Sequence, residues 1–404
     1  MRPFTSTISF DEARRRLDAA VVPITRTELV SLGSAGGRVS AEDVASSIDV
    51  PPFARSAMDG YAVIAADTSG ASAGAPVRLR IVDRLYTGQS PTVAIGPGTC
   101  AEIATGAPLP AGADAVVMVE QTARDGSDAV LIACAAPAGQ NIGRRGADIT
   151  AGATVVRKGE LLNPGRIGAV AAIGRPAVEV YERPRVAILS TGNEVVEPGR
   201  SLGPGQIFDV NRFTLTAIVE SNGGVADARP PVDDTISSLG AALDACAGAD
   251  IIVFSGGSSV GERDLILDLV AAKGEMVFHG IAVKPGKPTA FAHIGSSRTP
   301  FFGMPGNPTS CLSNAYVLLI PYLRALARLP EAPNRTVTVP LGRRIVSQAG
   351  RLQFYTVTLE RGVAMPAFKG SGEITSLSHA DGYIQIPADQ SVVEEGHAVE
   401  VTLF

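Results

Sequence analysis

The spacing of apolar residues changes along the chain, and each change predicts a different kind of structure. From residue 49 to residue 148, short runs of Val, Ile and Leu alternate with clusters of Gly, Pro and Asp, which is typical of strands joined by turns. From residue 335 onward, alternation of apolar and polar residues, as at 336–339 and 354–357, predicts a small β-domain of the barrel type. Both regions are therefore expected to be β-rich.

Between residues 183 and 329 the pattern becomes strand, loop and helix, repeated. Apolar runs at 186–189, 251–254 and 301–302 predict strands that are covered on both faces. Helical spacing at 211–221 and 235–246 predicts helices between them. This order predicts an open parallel sheet with helices on both of its faces.

In an open parallel sheet, ligands bind beyond the carboxyl ends of the strands. Three polar loops follow strands of this sheet, namely STGNE at 190–194, SGGSSVG at 255–261 and PGNP at 305–308. The sequence therefore predicts that these three loops share one crevice.

Helical patterns also occur outside this core. Ser9 and Glu12 stand three residues apart before an apolar stripe, which predicts a capping box and a short N-terminal helix. A second helical patch at 167–173 lies in a Gly- and Pro-punctuated connector, residues 149–181. A last helix is predicted after the PGNP loop, through Leu312 and Leu323.

Composition narrows the class of function. The chain has 404 residues, enough for about three domains. Its net charge of -5 and its lack of any Lys/Arg block argue against a nucleic-acid partner. The four cysteines are scattered and the N-terminus has no apolar signal core, so a reducing, cytoplasmic location is expected. No run of about 18 apolar residues predicts a membrane span.

The loop after residues 251–254 has the composition of a phosphate cradle. Gly256 and Gly257 allow backbone amides to turn towards an anion, and Ser255 and Ser258 add hydroxyl donors. A helix is predicted to begin near Glu262, so its positive end would face the loop. Asp264 in its first turn either complements the helix dipole or holds a metal beside the phosphate.

Several acids stand in loops marked by Gly or Pro, and they are Asp59, Asp148, Glu194, Asp234 and Asp264. Each one alone is also explained as a turn or cap residue; Asp59 precedes Gly60, and Asp233 or Asp234 could cap a helix before Thr235. Together they would offer oxygen ligands to Mg²⁺, or one could act as a general base. The four histidines are far apart, which argues against a zinc cluster.

The segment VKPGKP, residues 283–288, holds Lys284 and Lys287 in a loop that two prolines stiffen. Two ammonium groups at a fixed separation could bind one oxyanion, although ordinary exposed lysines in a turn remain the alternative. Arg351 and Ser376 could add donors from the last domain. Thr105, in another Gly- and Pro-containing loop, could bind a ligand or close a turn.

In order along nearly the whole chain, these segments resemble the molybdopterin molybdenumtransferase family, which includes the gephyrin E domain. The matching segments are PPFARSAMDGYAV (51–63), ATGAPLPAGADAVVMVE (104–120), GQNIGRRGADI (139–149), LSTGNEV (189–195), DVN (209–211), SGGSSVGERD (255–264), VKPGKP (283–288) and GMPGNPTS (303–310). One such segment would be weak, whereas eight in the same order are specific.

The resemblance implies an elongated homodimer whose subunits have four domains. These would be a three-layer αβα molybdopterin-binding domain (1–27 and 181–329), a central domain (28–48 and 149–180), a β-rich insert (49–148) and a C-terminal barrel-like β-domain (330–404). It implies an enzyme that inserts molybdate into adenylylated molybdopterin and releases AMP, with Mg²⁺ as cofactor. A molybdopterin adenylyltransferase would be a further protein partner.

The resemblance also implies roles for individual residues. The loop with Ser255, Gly256, Gly257 and Ser258 would hold the adenylyl phosphate and the pterin, and Asp234 and Asp264 would hold Mg²⁺ or the hydrolytic water. The molybdate pocket would consist of Lys284, Lys287, Ser310, Arg351 and Ser376. Glu194 would support activity from the same crevice. Asp59, Thr105 and Asp148 would reach the crevice of the partner subunit.

Three residues depart from the family pattern. Leu265 replaces a frequent aromatic, Thr356 stands where an Arg is frequent, and Asp381 replaces a usual Asn. Asp381 would weaken oxyanion binding if it faced the pocket. The alternatives are a catalytically weak paralogue, a dimeric scaffold, or an enzyme that handles tungstate. Clustered charges argue against a pure scaffold, because buried charge is costly without a function.

Overall fold

The computed structural model describes residues 7–256, 265–333 and 335–404, without the side chains of residues 265 and 266. The chain divides into two compact units. The first unit comprises Met1–Glu28, Gly37–Val39 and Tyr181–Phe404, and the second comprises Leu29–Gly36 and Ser40–Val180. The finer boundaries of four domains stay a prediction.

In chain order the α-helices are α1 (Phe10–Ala20), α2 (Pro164–Ala172), α3 (Asn211–Ser221), α4 (Ile236–Asp244), α5 (Leu265–Lys273), α6 (Pro308–Asn314), α7 (Ile320–Leu326) and α8 (Thr375–Ser378). A π-helical turn, Ala315–Leu319, joins α6 to α7. The predicted helices at 167–173, 211–221 and 235–246 are confirmed as α2, α3 and α4 to within a few residues.

The strands up to residue 181 are β1 (Thr27–Ser31), β2 (Val44–Ala45), β3 (Arg55–Ser56), β4 (Gly60–Val63), β5 (Val77–Leu85), β6 (Thr99–Ile103), β7 (Ala115–Met118), β8 (Thr122–Asp125), β9 (Ala129–Ile132), β10 (Ile142–Gly143), β11 (Thr154–Val156) and β12 (Ala177–Tyr181). The strands of the middle region are β13 (Arg185–Ser190), β14 (Val195–Val196), β15 (Ile207–Phe208), β16 (Val225–Ala228), β17 (Ile251–Ser255), β18 (Gly274–His279), β19 (Val283–Lys284), β20 (Ala290–Ile294) and β21 (Thr299–Met304). The last strands are β22 (Thr336–Pro340), β23 (Ile345–Val346), β24 (Leu352–Glu360), β25 (Val363–Pro366), β26 (Gly382–Ile386), β27 (Val392–Val393) and β28 (Ala398–Leu403).

A six-stranded sheet with apolar cores on both faces is the centre of the first unit. Its strand order is β16-β13-β17-β21-β20-β18. Along β17, Ile251 and Val253 belong to one core, whereas Ile252 and Phe254 belong to the other. This alternation follows from the two-residue period of a strand, and it requires apolar residues at every position of a strand covered on both faces.

Helices cover the two faces of this sheet and complete three layers. Ala13 and Leu17 of α1 pack in the first core together with residues of α3, α6 and α7. Leu239 of α4 and Leu269 of α5 pack in the second core. The αβα architecture predicted from the sequence is thereby confirmed.

The predicted strands β13, β17 and β21 run parallel as expected, but two further strands make one edge of the sheet antiparallel. Strands β16, β13, β17 and β21 run parallel, but β20 pairs antiparallel with both β21 and β18. Only residues 295–298 connect β20 to β21, with Gly295 at φ +69°. So short a connection produces a hairpin, because a parallel crossover needs a dozen residues or more.

The N-terminal helix begins as its sequence predicts. The Ser9 side chain accepts a hydrogen bond from the Glu12 backbone amide at 3.2 Å. The Glu12 carboxylate, however, does not close a reciprocal box; it accepts hydrogen bonds from Arg15 and Arg16, which lower its pKa.

The C-terminal sheet of the first unit incorporates a short strand from the middle region. Its order is β19-β24-β26-β28-β22, and β25 also pairs with β24. Its core contains Val357, Ile384 and Val401. Because β19 lies parallel to β24, Val283 and Lys284 stand opposite Leu352 and Gln353.

The second unit contains a six-stranded sheet, β7-β4-β6-β5-β9-β8, as the alternating pattern of this region predicts. Its two faces carry separate apolar cores, one with Tyr61 and Val117 and the other with Ala62 and Val116. A third core, with Val44, Val170 and Val178, packs around α2.

Thr356, one of the departures from the family pattern, lies in the interior of the first unit. It is 2% exposed and lines a cavity of about 10 Å³ with Tyr316, Phe354 and Tyr383 among its neighbours. Within the described part of the chain, its hydroxyl has no hydrogen-bond partner. A buried hydroxyl without a partner is destabilising.

We expect Thr356→Val to raise the free energy of unfolding of the first unit by about 1 kcal/mol, because valine keeps the shape and removes the unpaired hydroxyl. Thermal unfolding of the variant beside Thr338→Val, at an exposed position of β22, measures this. The control should change stability by less than about 0.5 kcal/mol. A loss of stability in Thr356→Val would show that the hydroxyl has a partner in solution.

Candidate active site

The three loops predicted to share a crevice begin at one edge of the αβα sheet. Ser190, Ser255 and Met304 end β13, β17 and β21, and they are register partners across these parallel strands. The chain continues across this edge with the Thr191 amide donating to the Ser255 carbonyl at 3.0 Å. The shared position of these strand ends confirms the predicted crevice for the loops at 190–194 and 305–308.

A cavity of about 1340 Å³ opens at this edge. Its wall includes segments from the three strand ends, the loop 283–288, the beginning of α6 and residues 368–374 before α8. Eight residues predicted to belong to the site line it, namely Glu194, Asp234, Ser255, Gly256, Lys284, Lys287, Ser310 and Arg351.

Gly256 is required by the close approach of two loops. It has φ +112°, and a Cβ atom at this position would lie 2.4 Å from the Thr191 carbonyl oxygen. Any side chain here would separate the ends of β13 and β17, so only glycine fits. The remainder of the predicted phosphate cradle, including Gly257, Ser258 and Asp264, lies outside the described residues.

Asp234 is a cavity residue and not a helix cap. The Thr191 hydroxyl donates to Asp234 Oδ1, which ties the end of β13 to the loop before α4. The alternative explanation, that Asp233 or Asp234 caps this helix, does not hold, because Thr235 is the N-cap and its hydroxyl accepts from the Ser238 amide at 3.1 Å. The carboxylate of Asp234 is therefore available at the cavity wall.

The side-chain amide of Asn211 lies buried behind this edge, and its role was not predicted from the sequence. Asn211, the first residue of α3, donates through Nδ2 to Ser255 Oγ at 2.8 Å and to the Gly306 carbonyl at 2.7 Å. It thereby joins the loop after β17 to the loop after β21. The DVN segment was part of the resemblance, but no local pattern indicates these distant partners.

Asp209 also lines the cavity and was not predicted as a site residue. Its Oδ1 accepts from the Arg212 amide at 3.0 Å, and Arg212 Nε lies 3.6 Å from its Oδ2. In the described chain Asp209 Oδ2 and Asn211 Oδ1 are buried and accept no hydrogen bond. Two oxygen acceptors of cavity residues thus lack a hydrogen bond in the part of the chain that the structure describes, and the Arg212 guanidinium balances the charge of the Asp209 carboxylate.

The cations of the cavity come from two segments that a strand pair brings together. Lys284 stands in β19, and its partner strand β24 begins directly after Arg351. The Leu352 amide donates to the Ala282 carbonyl at 3.0 Å, which fixes this junction. Lys284, Lys287 and Arg351 consequently give part of the wall a positive charge, whereas Glu194, Asp209 and Asp234 supply carboxylates elsewhere on it.

Ser310 and Ser376 differ in their relation to the cavity. Ser310 in α6 lines it, and Ser376 does not. Ser376 is fully buried, and its hydroxyl accepts from the Lys369 amide at 3.0 Å and the Gly370 amide at 3.5 Å. It therefore supports the backbone of a segment that forms the wall. Direct binding by Ser376 stays a prediction.

The nearby thiol is not suited to nucleophilic chemistry. Cys311 Sγ lies 3.9 Å from Ser255 Oγ, and burial raises the pKa of this thiol to about 12. The reactive thiolate is consequently scarce at neutral pH.

The departures Thr356 and Asp381 do not line the cavity. The Asp381 side chain accepts from the Leu359 amide at 2.7 Å and is otherwise exposed, so it adds no negative charge to this wall. The side chain of Leu265 lies outside the described residues.

Three predicted residues belong to the second unit. Asp59 accepts hydrogen bonds from the Thr105 amide at 2.7 Å and from its hydroxyl at 3.0 Å, and these bonds lower the pKa of Asp59. Asp148 is exposed, with its amide donating to the Val50 carbonyl at 3.0 Å. The structure thus joins the loops that carry Asp59 and Thr105 through hydrogen bonds to the Asp59 carboxylate.

The described residues do not form a metal site made of protein ligands alone. They contain no group of three or more His, Cys, Asp or Glu side chains that could hold a metal ion. As for membranes, every helix in the described ranges is too short or too polar to cross a bilayer.

Family comparisons cover most of the chain. Residues 8–174 match the MoeA N-terminal region (domain I and II), residues 187–325 match a family described as "Probable molybdopterin binding domain", and residues 338–404 match the MoeA C-terminal region (domain IV).

Individual relatives agree with these matches. The chain is 34% identical over 403 residues to Molybdopterin molybdenumtransferase 2 of Mycobacterium tuberculosis, covering 96% of this chain and 98% of that protein. It is 37% identical over 308 residues to Molybdopterin molybdenumtransferase of Nostoc sp., covering 76% of this chain and 70% of that protein.

Solved structures show the same likeness. A crystal structure of a molybdopterin biosynthesis MoeA protein from Pyrococcus horikoshii matches with a TM-score of 0.85 at 39% identity, covering 98% of this chain and 99% of that one. The resemblance drawn from the motifs is confirmed: the chain belongs to the molybdopterin molybdenumtransferase family and is an enzyme of molybdenum cofactor biosynthesis.

Proposed function

We propose that this enzyme inserts molybdate into adenylylated molybdopterin and releases AMP in a Mg²⁺-dependent reaction. The observation that carries the proposal is a cavity at the carboxyl ends of an αβα sheet, whose lining includes three cationic residues and several residues with oxygen acceptors. The names of the relatives support the same transferase chemistry.

The cationic segments suit molybdate. Molybdate is a tetrahedral dianion, and Lys284, Lys287 and Arg351 would donate charge-assisted hydrogen bonds to its oxygens. Ser310 would add a hydroxyl from the first turns of α6. The reaction needs two sulfurs of the pterin dithiolene to replace oxygens on the metal, so the oxyanion must be held next to the pterin.

The strand-end loops suit the nucleotide phosphate. Backbone amides at glycine-rich turns such as Gly256 and Gly306 can approach an anion closely, since no side chain intervenes. Asn211 would keep these two loops at a constant separation through its bonds to Ser255 and Gly306.

The Asp234 carboxylate at the cavity wall suits a magnesium ion. Mg²⁺ binds through one or two carboxylates together with substrate phosphates, and Asp234 would supply one of these carboxylates. Bound Mg²⁺ would neutralise charge on the phosphate during release of AMP. Asp234, held by Thr191, would be its principal protein ligand, and Asp264 would be the second as the resemblance implies.

The test of this proposal is AMP release from adenylylated molybdopterin with Mg²⁺, with and without molybdate. We expect molybdate-dependent release together with formation of active cofactor, and a large loss of turnover in Asp234→Asn. Binding without turnover would contradict the proposal and favour a scaffold. Tungstate in place of molybdate shows which oxyanion is preferred.

We expect Lys287→Ala to weaken molybdate binding about 10- to 100-fold, because one charge-assisted hydrogen bond is lost. The affinity for AMP should stay within about twofold, which is a change of less than ~0.5 kcal/mol. Calorimetry with both ligands measures the two effects. Lys158→Ala, which removes an equal charge from an exposed position of the second unit, is the matched control. Equal losses for both ligands would assign the lysine a structural role.

We further propose that the enzyme acts as a homodimer in which Asp59, Thr105 and Asp148 serve the cavity of the partner subunit. Hydrogen bonds from Thr105 lower the pKa of Asp59, so an ionised carboxylate would be presented to the partner subunit. The substrate would be supplied by a molybdopterin adenylyltransferase. The cytoplasm is the proposed compartment, since the four cysteines are free thiols.

Mixing two inactive variants tests the shared site. If Asp59 acts across the dimer, Asp59→Ala and Asp234→Asn subunits that reassociate at random should recover about one quarter of wild-type turnover, because half of the dimers are mixed and each has one intact site. Each variant alone should remain inactive. Mixed dimers without activity, identified by two different affinity tags, would show that Asp59 serves its own subunit.

A further inference from the structure

The turn between the two lysines depends on an unusual backbone conformation. Gly286, in the middle of the loop 283–288, has φ +101°. A Cβ atom here would lie 2.2 Å from Asn314 Nδ2. A side chain is therefore excluded both by the left-handed backbone and by the neighbouring amide.

Two buried side chains bind the carbonyl of this glycine. The Thr289 hydroxyl donates to the Gly286 oxygen at 2.9 Å, and Asn314 Nδ2 donates to the same oxygen at 2.9 Å. Asn314 Nδ2 also donates to Thr289 Oγ1, so the three groups form a closed network. Thr289 and Asn314 are both 0% exposed, where such bonds are strengthened by the low dielectric constant.

The network also reaches the serine of the predicted oxyanion pocket. Asn314 ends α6, and Ser310 precedes it by four residues, which is one helical turn along the same face. The other end of the loop is closed by backbone bonds from the Ile281 amide to the Lys287 carbonyl and from the Gly280 amide to the Thr289 carbonyl, each 2.9 Å. One amide side chain therefore links the lysine turn to the helix that carries Ser310.

Stability alone does not account for the asparagine. Among the described residues, Asn314 Oδ1 is buried and accepts no hydrogen bond, and such an acceptor costs stability. Unpaired buried polar groups in native proteins are commonly found where function has determined the residue.

We propose that Thr289 and Asn314 are positioning residues that set the separation of Lys284 and Lys287, and the orientation of Ser310, for a tetrahedral oxyanion. Neither side chain lines the cavity, so both act through the backbone of the turn and through α6. This inference rests on the proposed binding of molybdate by the two lysines.

The experiment compares the full-length protein with Thr289→Val, which replaces the hydroxyl by a methyl group of similar volume. Molybdate and AMP affinities are measured by calorimetry, and the molybdate dependence of AMP release is measured in parallel. We expect about a tenfold loss of molybdate affinity and a raised half-saturating molybdate concentration. AMP affinity and turnover at saturating molybdate should remain within about twofold. Thr289→Ser, which keeps the hydroxyl, should behave as the wild type.

Thr68→Val is the matched control for loss of a buried hydroxyl. Thr68 is also 0% exposed, and its hydroxyl donates to the carbonyl three residues earlier at 2.8 Å, as that of Thr289 does. It lies in the second unit, where it should lower the thermal unfolding temperature without changing molybdate affinity. If Thr289→Val fails to fold, Asn314→Ala takes its place with the same expected separation of molybdate from AMP.

The outcomes separate the inference from the function on which it rests. If Lys287→Ala weakens molybdate binding and Thr289→Val does not, the lysines bind the oxyanion but the network does not position them. Equal losses of molybdate and AMP affinity, or a loss in Thr289→Ser as large as in Thr289→Val, would also overturn the positioning role. If neither Lys287→Ala nor Thr289→Val alters molybdate binding, the proposed molybdate site itself is wrong, and the inference is overturned with it.

Discussion

Holding several cations together at one cavity wall is the constraint on which the site depends. Lys284, Lys287 and Arg351 repel one another, and flexible side chains would separate in water. The backbone opposes this separation because β19 is incorporated into the C-terminal sheet beside β24, which places the backbone of Arg351 next to the strand that carries Lys284. The C-terminal β-sheet therefore contributes to the site, because its edge strand β19 carries Lys284.

The strand ends meet a different requirement. Backbone amides there must approach a phosphate, and oxygen acceptors must lie near it. The parallel register of Ser190, Ser255 and Met304 places three loop origins at one edge. Gly256 then allows contact distances that no other residue would permit. Asn211 connects the loops after β17 and β21, and Thr191 connects the loop after β13 to Asp234, so side-chain hydrogen bonds link the segments at this edge.

The sequence could predict the elements and the loops, but not their distant partners. The uniform apolar run of β17 and the spacing of α2, α3 and α4 follow from local periodicity, and the order of loops at strand ends follows from the general rule for open sheets. The hairpin between β20 and β21 was missed because a short apolar run does not reveal strand direction. The contacts of Asp234, Asn211 and Asn314 could not be predicted. Their partners Thr191, Ser255 and Gly286 stand roughly 25 to 45 residues away in the chain, and only the fold brings them together.

Some buried polar atoms have no hydrogen-bond partner, and their positions indicate whether ligand binding or packing explains them. Within the described ranges, Ser190 Oγ, Asp209 Oδ2 and Asn211 Oδ1 are buried without hydrogen-bond partners, and all three residues line the cavity. An unpaired buried polar atom costs about 1–3 kcal/mol. Thr356 has the same defect in an apolar surrounding, where no ligand would repair it. An unpaired buried atom is therefore explained by function at the cavity and in the network of Asn314, and by a packing imperfection at Thr356, so its surroundings decide between the two explanations.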